Sequence, residues 1–535
     1  MKKRLLVLSN LLLISLSVTA CDSFFNPFAM SGFNSKSSDT QSSEITSSSD
    51  DQSTSSVENS SSSQMSTSNA SSSSFVPVEP NYVSFNIYPF NDTHGNVLDT
   101  PGEGISLSKT ATALKELSED KETIYISQGD MWQGSIESNY TRGNLVTEWM
   151  NEMGFVSMTV GNHEFDWGQD VIIENIGIAD FPMLGINVMQ RYSQARVSYL
   201  EPSATFTRGD AKIGVIGAIG NCLSSISSSK VQDIYFATDD ELTKLVKDES
   251  NRLRNEEHCD FIIYSIHGSA STDEADYYDL SLSSGHYVDL VLEGHTHQKY
   301  AELDEAGVYH VQCAGNNLNT YQITVNVDVN NHVVEVDTPV AINLSYANSP
   351  YNNYPNDSAT EALLDKYHDD YAFAYDTVGT VASRKNSTEL KSKIADLYLE
   401  AGLTKWSSDY DIMLGGGYIS CRGTGYLPAG QVTYAQLAGL FPFDNEIVLC
   451  SVMGYYLRTS NFIKGHSDYY IGWTPYGQSL KDDPTTIKNY DTYYLVTDTY
   501  SSDYARNHLT VIETLKTRYY ARDLLAEYIK AGNWA

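Results

Sequence analysis

Two short stretches carry side chains whose types and spacing suit metal-assisted or acid–base chemistry. Gly161-Asn162-His163-Glu164-Phe165-Asp166 follows the apolar run 157–160, which reads as a buried strand entering a polar loop. Asn162 offers a neutral carbonyl oxygen to a hard cation. His163 offers an imidazole that exchanges a proton near neutral pH, and Asp166, three residues on, a carboxylate that can hold that ring in one orientation. Upstream, Asp92 and His94 sit two apart in Asn91-Asp92-Thr93-His94-Gly95. In an extended segment they face the same way and can chelate one ion. Taken alone, each stretch is equally compatible with a solvated turn.

The elements that must position these groups decide between the two readings. Val83, Phe85 and Ile87 alternate with Ser84 and Asn86, as in a strand leading to Asp92. Residues 123–127 read as a second strand, ending at Gly129-Asp130-Met131-Trp132-Gln133-Gly134-Ser135. A helix follows with Leu145, Val146, Trp149, Met150 and Met153 on one core-facing side. Residues 212–216 form another apolar strand, and Thr238-Asp239-Asp240-Glu241 has the spacing of a capping box that opens a helix. Residues 261–265 read as a strand ending at His267-Gly268, and 288–292 as one ending at Glu293-Gly294-His295-Thr296-His297. Five strand ends therefore deliver Asp, Asn or His to loops. Parallel strands joined by helices gather their carboxyl ends along one edge, so Asp92, His94, Asp130, Asn162, His267, His295 and His297 can converge. Nitrogen and oxygen ligands without a thiolate suit two divalent cations that share a ligand. His258, His286 and His310 fall outside the strand-end pattern and read as surface or satisfied core residues.

In their order along the chain, Asp92-x-His94, Gly129-Asp130 with Gly134-Ser135, Gly161-Asn162-His163-Glu164, His267-Gly268 and Gly294-His295-Thr296-His297 resemble the calcineurin-like metallophosphatase superfamily. Asn162-His163-Glu164-Phe165-Asp166 is similar to its 5′-nucleotidase branch. The resemblance implies an α/β fold: a four-layer sandwich of mixed sheets flanked by helices. It implies that Asp92, His94 and His297 hold one cation (Mn, Zn, Ca, Mg or Co), that Asn162, His267 and His295 hold the other, and that Asp130 bridges. His297 stands where some members carry Gln. Two divalent cations outweigh the carboxylates of Asp92 and Asp130, so the site would draw phosphate. Paired metals favour in-line phosphoryl transfer, with His163, oriented by Asp166, stabilising charge on the phosphoryl oxygens or the leaving group.

Farther on, 348–357 is rich in Asn, Pro and Tyr and reads as a connection, and Ser358-Ala359-Thr360-Glu361 opens a helix to about Tyr371. A helix over 388–400 starts a second body. There a strand over 411–414 enters Gly415-Gly416-Gly417, where bare backbone could lie against a ligand. With Phe441-Pro442-Phe443-Asp444-Asn445 and Tyr500 after the strand over 493–496, this region resembles the α/β nucleotide-recognition domain of 5′-nucleotidases. The resemblance implies that Phe443 and Tyr500 sandwich a base, Asn445 bonds its edge, and Arg422 and Arg384 contact anionic groups. Two departures mark the pocket as reshaped: Tyr418 to Cys421 intervene between the glycines and Arg422, and Ser501-Ser502-Asp503-Tyr504 replaces a glycine-rich turn.

The N-terminus sets location. Lys2, Lys3 and Arg4 precede an apolar run ending Val18-Thr19-Ala20-Cys21, which is similar to a bacterial lipobox. Residues 1–21 are expected to be a signal peptide with Cys21 lipidated, anchoring the protein to the outer face of the cell membrane. Residues 22–75 are dominated by Ser, Thr, Asn, Gln and Asp and are expected to be a disordered tether. The remaining five of six cysteines show no CxxC spacing, which argues against a thiolate zinc site and leaves a single disulfide open. Against 34 basic residues stand 68 acidic ones, for a formal net charge of −34. Binding of a nucleic-acid polymer by charge is therefore disfavoured.

The sequence is thus expected to form a catalytic domain over 76–345, a linker and helix over 346–375 and a substrate-binding domain over 376–535. The expected protein is a monomer that hydrolyses nucleoside 5′-monophosphates. The alternatives are a 2′,3′-cyclic nucleotide phosphodiesterase or UDP-sugar hydrolase and, from another class, a non-catalytic nucleotide-binding or adhesion lipoprotein.

Overall fold

In strand Tyr82–Phe90 the two-residue period sends Phe85 and Ile87 to one side and Tyr88 and Phe90 to the other, and all four are buried. A strand with core on both faces belongs inside a layered α/β body. The computed structural model describes residues 79–119, 121–268, 287–467, 469–505 and 508–535. The signal segment, Cys21, the tether and His286 lie outside the described residues.

Strands Tyr82–Phe90, Thr123–Ser127, Phe155–Thr159 and Met183–Leu184 run parallel in one sheet, extended by the antiparallel Asn319–Asp328 with Val333–Val336 and Val340–Asn343 beyond it. In a second sheet Tyr309–Gln312, Leu290–Glu293, Phe261–His267 and Ala211–Ile219 are parallel, with antiparallel Tyr300–Leu303 and Ser203–Arg208 at the edges. Phe85, Ile87, Ile124 and Ile126 of the first sheet meet Ile213, Phe261, Ile263 and Leu292 of the second in a shared core. Each such side chain contributes roughly 1.5–3 kcal/mol by burial.

Helices cover the outer faces. Asn144–Met153 buries Leu145, Val146, Trp149, Met150 and Met153, as its periodicity requires. Asp239–Asn255 buries Leu242, Val246 and Leu253 against the second sheet. That helix begins where expected, but the Thr238 side chain makes no cap bond; its hydroxyl donates to Asp239 instead, at 3.1 Å. Helix Ser358–Tyr371 is capped by Asp357, which accepts from the Thr360 N–H at 3.0 Å, rather than by Ser358. Leu363, Leu364 and Tyr367 of this connecting helix pack against the outer core of the first sheet.

The C-terminal sheet has the order Tyr469–Trp473, Ile412–Tyr418, Thr492–Asp498, Ile447–Met453, Leu509–Thr514. Its covering helix, Ser387–Trp406, opens with a true capping box between Asn386 and Glu389. The glycine run lies inside strand Ile412–Tyr418 and not in a loop, correcting the expectation of a ligand on bare backbone. A Cβ on Gly415 would sit 2.3 Å from Leu399 N, and one on Gly416 2.0 Å from Tyr470 O. These glycines admit neighbouring protein backbone. Among the described residues no disulfide joins Cys222, Cys259, Cys313, Cys421 or Cys450. Among the described residues no helix is long and apolar enough to cross a membrane.

Candidate metal centre

The carboxyl ends of five parallel strands meet where the two sheets adjoin. Asp92 and His94 follow Tyr82–Phe90, Asp130 follows Thr123–Ser127, and Asn162 follows Phe155–Thr159. From the other sheet, His267 ends Phe261–His267, and His295 and His297 follow Leu290–Glu293. Two groups result, Asp92 with His94 and His297, and Asp130 with His267 and His295; within each, the possible ligand atoms lie within 4.8 Å of one another. Five of these residues have left-handed backbone, with φ of 50° at Asp92, 49° at His94, 54° at Asp130, 76° at His295 and 56° at His297. Such residues each cost roughly 1–3 kcal/mol and collect at functional sites. Backbone bonds between the loops hold them, including His94 N–H to Asp130 O at 3.0 Å and Asp92 N–H to Gly129 O at 2.9 Å.

The hydrogen-bond pattern tests whether these residues fit cations. His94 Nδ1 lies 2.9 Å from Gln133 O, and His267 Nδ1 lies 2.7 Å from Gln128 O. A carbonyl only accepts, so Nδ1 carries the proton in both rings and Nε2 of the neutral ring presents a lone pair, as metal-ligating histidines do. His94 Nε2 faces His297 Nε2 at 3.1 Å, and two imidazole nitrogens at that distance suit a shared cation. His267 Nε2 faces Asn162 Oδ1 at 3.1 Å and Asp130 Oδ2 at 3.2 Å. Asp92 Oδ2 accepts from Asn91 and from the His295 N–H, whereas the buried Oδ1 makes no hydrogen bond, although His297 Nε2 is 3.3 Å away.

Electrostatics agree with this fit at His94 and Asp130. Burial, aided by the nearby His163 charge, pushes His94 down to about 4 and keeps it neutral. Burial opposes charge on Asp130, yet His267 and His163 hold it well below the usual carboxylate range. Burial likewise opposes a charge on His267, and the Asp130 carboxylate more than offsets it, raising that ring to about 9, so a cation beside Asp130 would have to displace the Nε2 proton to take that lone pair. The residues fit two divalent cations.

His163 stands beside both groups. Its Nδ1 is 2.7 Å from Asp166 Oδ2, its backbone N–H donates to Asp130 Oδ1 at 2.8 Å, and its ring meets that of His94 edge-on at 5.2 Å. Burial disfavours its proton, but the Asp166 and Asp130 charges outweigh burial and raise it to about 10. Glu164, to which the sequence reading assigned no role, is fully buried and accepts from the backbone N–H groups of Gly161, Asp130 and Met131 at 2.7, 2.8 and 2.9 Å. It ties the Asp130 loop to the Asn162 loop. Its place inside the hexapeptide was the available signal.

The C-terminal part reaches the same spot. Phe443 stacks over His163, and the Arg422 guanidinium lies 5.4 Å from the Phe443 ring. Asn445 is half-buried two residues on. Tyr500 packs against Tyr418 at 5.7 Å, and Arg384 stacks 3.7 Å over Tyr426. Arg522, absent from the sequence reading, is buried and donates to the carbonyls of Phe441, Pro442 and Phe443 at 3.2, 3.2 and 3.1 Å while pairing with Asp444. From the other side Gln133 and Asn139 donate to Pro442 O, and Trp167 donates to Asp444.

A layered sandwich with Asp and His clusters at the carboxyl ends of its parallel strands defines a phosphoesterase scaffold. Residues 85–299 match the calcineurin-like phosphoesterase family model. It is 25% identical over 406 residues to an apyrase of Tabanus yao, covering 70% of this chain and 72% of the relative. It is 24% identical over 415 residues to protein UshA of Yersinia enterocolitica, covering 68% and 73%. A 5′-nucleotidase precursor of Thermus thermophilus superposes with a TM-score of 0.60 over 84% of this chain and 96% of that one; at 16% identity this likeness is one of fold.

Proposed function

We propose that the protein is a metal-dependent phosphomonoesterase that releases phosphate from nucleoside 5′-monophosphates at the cell surface. The observation that carries this reading is Phe443 over His163, because an aromatic ring reaching a phosphoesterase site from outside the family match suits a phosphate ester that bears a base. The names of the relatives, apyrase, UshA and 5′-nucleotidase, point the same way.

On this reading 76–345 is the catalytic domain, 346–375 the linker and 376–535 the substrate-binding domain. Asp92, His94 and His297 hold one cation, Asn162, His267 and His295 the other, and Asp130 is shared. When bound, the two ions supply Lewis-acid polarisation of the phosphate and activation of water. His163, kept protonated and oriented by Asp166, offers positive charge to the oxygens that gain charge as the ester breaks. Phe443 carries the base, with Arg422 and Asn445 beside it and Tyr500 and Arg384 as outer contacts. Cys21 bears the lipid anchor.

The test is phosphate release from nucleoside mono- and diphosphates, 2′,3′-cyclic nucleotides and a UDP-sugar, with Mn²⁺, Zn²⁺, Ca²⁺, Mg²⁺ or Co²⁺ after chelation. The 5′-monophosphates should turn over fastest, and only with metal restored. Turnover confined to cyclic or sugar nucleotides would replace the substrate. Tight nucleotide binding without turnover would replace the enzyme with a binding lipoprotein.

A further inference from the structure

His295 and His297, one from each candidate cation group, flank Thr296 on a loop whose two histidines are both in left-handed conformation. The Thr296 hydroxyl donates to Gln312 Oε1 at 2.8 Å, and the Gln298 backbone N–H donates to the same oxygen at 3.1 Å. Gln312 is fully buried at the end of strand Tyr309–Gln312, in register with Glu293 on the parallel strand that feeds the loop.

The polarity of this contact is fixed. A backbone N–H can only donate, so the Gln312 oxygen must face the loop and the Gln312 amide nitrogen must face the other way. There it donates to Tyr300 OH at 3.0 Å, and Tyr300 in turn donates to Glu293. Glu293 Oε1 meets His310 Nδ1 at 3.2 Å, and His310 Nε2 lies 3.5 Å from Asp304. Glu293 and His310 are buried. A run of polar side chains thus extends from Asp304 to Thr296 through the second sheet. Polar groups are costly in a core unless each is satisfied, and this run ends on the loop that carries two candidate ligands.

We infer that Gln312 is a positioning residue that holds His295 and His297 in ligating geometry, so that both cation sites depend on one buried amide. The inference rests on the reading of those histidines as ligands. Its chemistry is that of an outer residue that pre-pays loop order, so removing it should weaken cation binding at both sites.

The test compares the wild-type full chain with Gln312→Met, which keeps the volume without the amide, and with Thr296→Val, which removes only the hydroxyl. Equilibrium dialysis against Mn²⁺ or Zn²⁺ with metal analysis gives stoichiometry and affinity without an activity assay, and thermal unfolding runs alongside. Wild type should bind two ions per chain. Gln312→Met should weaken both sites by roughly 10–100-fold, and Thr296→Val should add little on that background. If Gln312→Met does not fold, Thr296→Val reads the same link from the loop side and should weaken both sites on its own. Two ions bound as tightly as in wild type, with only a lower Tm, would overturn the inference and leave the site reading intact; so would a loss confined to one ion. A wild-type chain that binds no cation would overturn the site reading and the inference with it.

Discussion

Phe443 lies over the imidazole of His163 with ring centroids 6.1 Å apart and planes 21° from parallel. The two residues are far apart in sequence, and their meeting makes the C-terminal part a wall of the candidate catalytic site. An aromatic face is worth ~1–3 kcal/mol to a stacked base. Phe443→Ala should therefore lower kcat/KM for a nucleoside 5′-monophosphate by roughly 5–150-fold. A small aryl phosphate, with no base to stack, should lose only a few-fold. Steady-state kinetics on both substrates decides. Equal losses would assign Phe443 to shielding His163 and remove its part in base recognition.

Arg522 sets where Phe443 sits. Its guanidinium is buried against three successive carbonyls, the Tyr434 hydroxyl at 3.1 Å and the Asp444 carboxylate. Arg522→Met keeps much of the volume and leaves Asp444 and those carbonyls without their partner, a loss of about 3–5 kcal/mol for a broken buried pair. The variant should unfold at lower temperature in calorimetry and show a raised KM for nucleotide. Arg522→Lys should recover little, since one ammonium cannot reproduce the planar fork. An unchanged Tm would show that the loop is held from the Gln133, Asn139 and Trp167 side alone.

What could be read from the sequence follows from chemistry that particular side chains must supply. Asp92-x-His94 and His295-x-His297 were legible because few residue types ligate cations and because strand ends collect them. The left-handed φ values at the same positions were not legible, since Asp and His also occupy ordinary turns. Arg522 left no trace because its partners are mostly backbone carbonyls, which every residue carries. Gly415 to Gly417 misled because glycine is a poor strand former; here the missing Cβ lets helix Ser387–Trp406 and strand Tyr469–Trp473 close in. At the start of helix Ser358–Tyr371 two neighbouring residues could cap, and only the backbone path decided for Asp357.

Asp166 belongs to neither candidate cation group, yet it lies 2.7 Å from His163 Nδ1. Asp166→Asn keeps the shape and removes the charge that favours the imidazolium. Acid–base and orienting groups of this kind contribute about 10²–10⁴-fold. The expected result is a fall in kcat of that order with the bound-metal count unchanged, checked by turnover and metal analysis on the same preparation. A parallel loss of metal would make Asp166 part of the cation site.

Asp498 gives the C-terminal part a pH signature of its own. The buried carboxylate caps helix Thr499–Tyr504, accepting from Ser501 N–H at 2.7 Å and from Tyr398 OH at 3.2 Å. Burial dominates and raises its pKa from 3.8 to about 6, with the Ser501 bonds pulling only partly back. The folded state therefore keeps a proton that the unfolded chain has already released between about pH 4 and pH 6. Its contribution to stability is complete below that window, falls as pH rises through it, and is lost above it, by roughly 1–3 kcal/mol. Other carboxylates titrate in the same range, so the informative quantity is the difference between wild type and Asp498→Asn. That difference should grow in favour of the variant as pH rises from 4 to 7 in urea unfolding followed by Trp fluorescence. A difference that does not vary with pH would mean that Asp498 stays ionised in the fold and acts through its cap bonds alone.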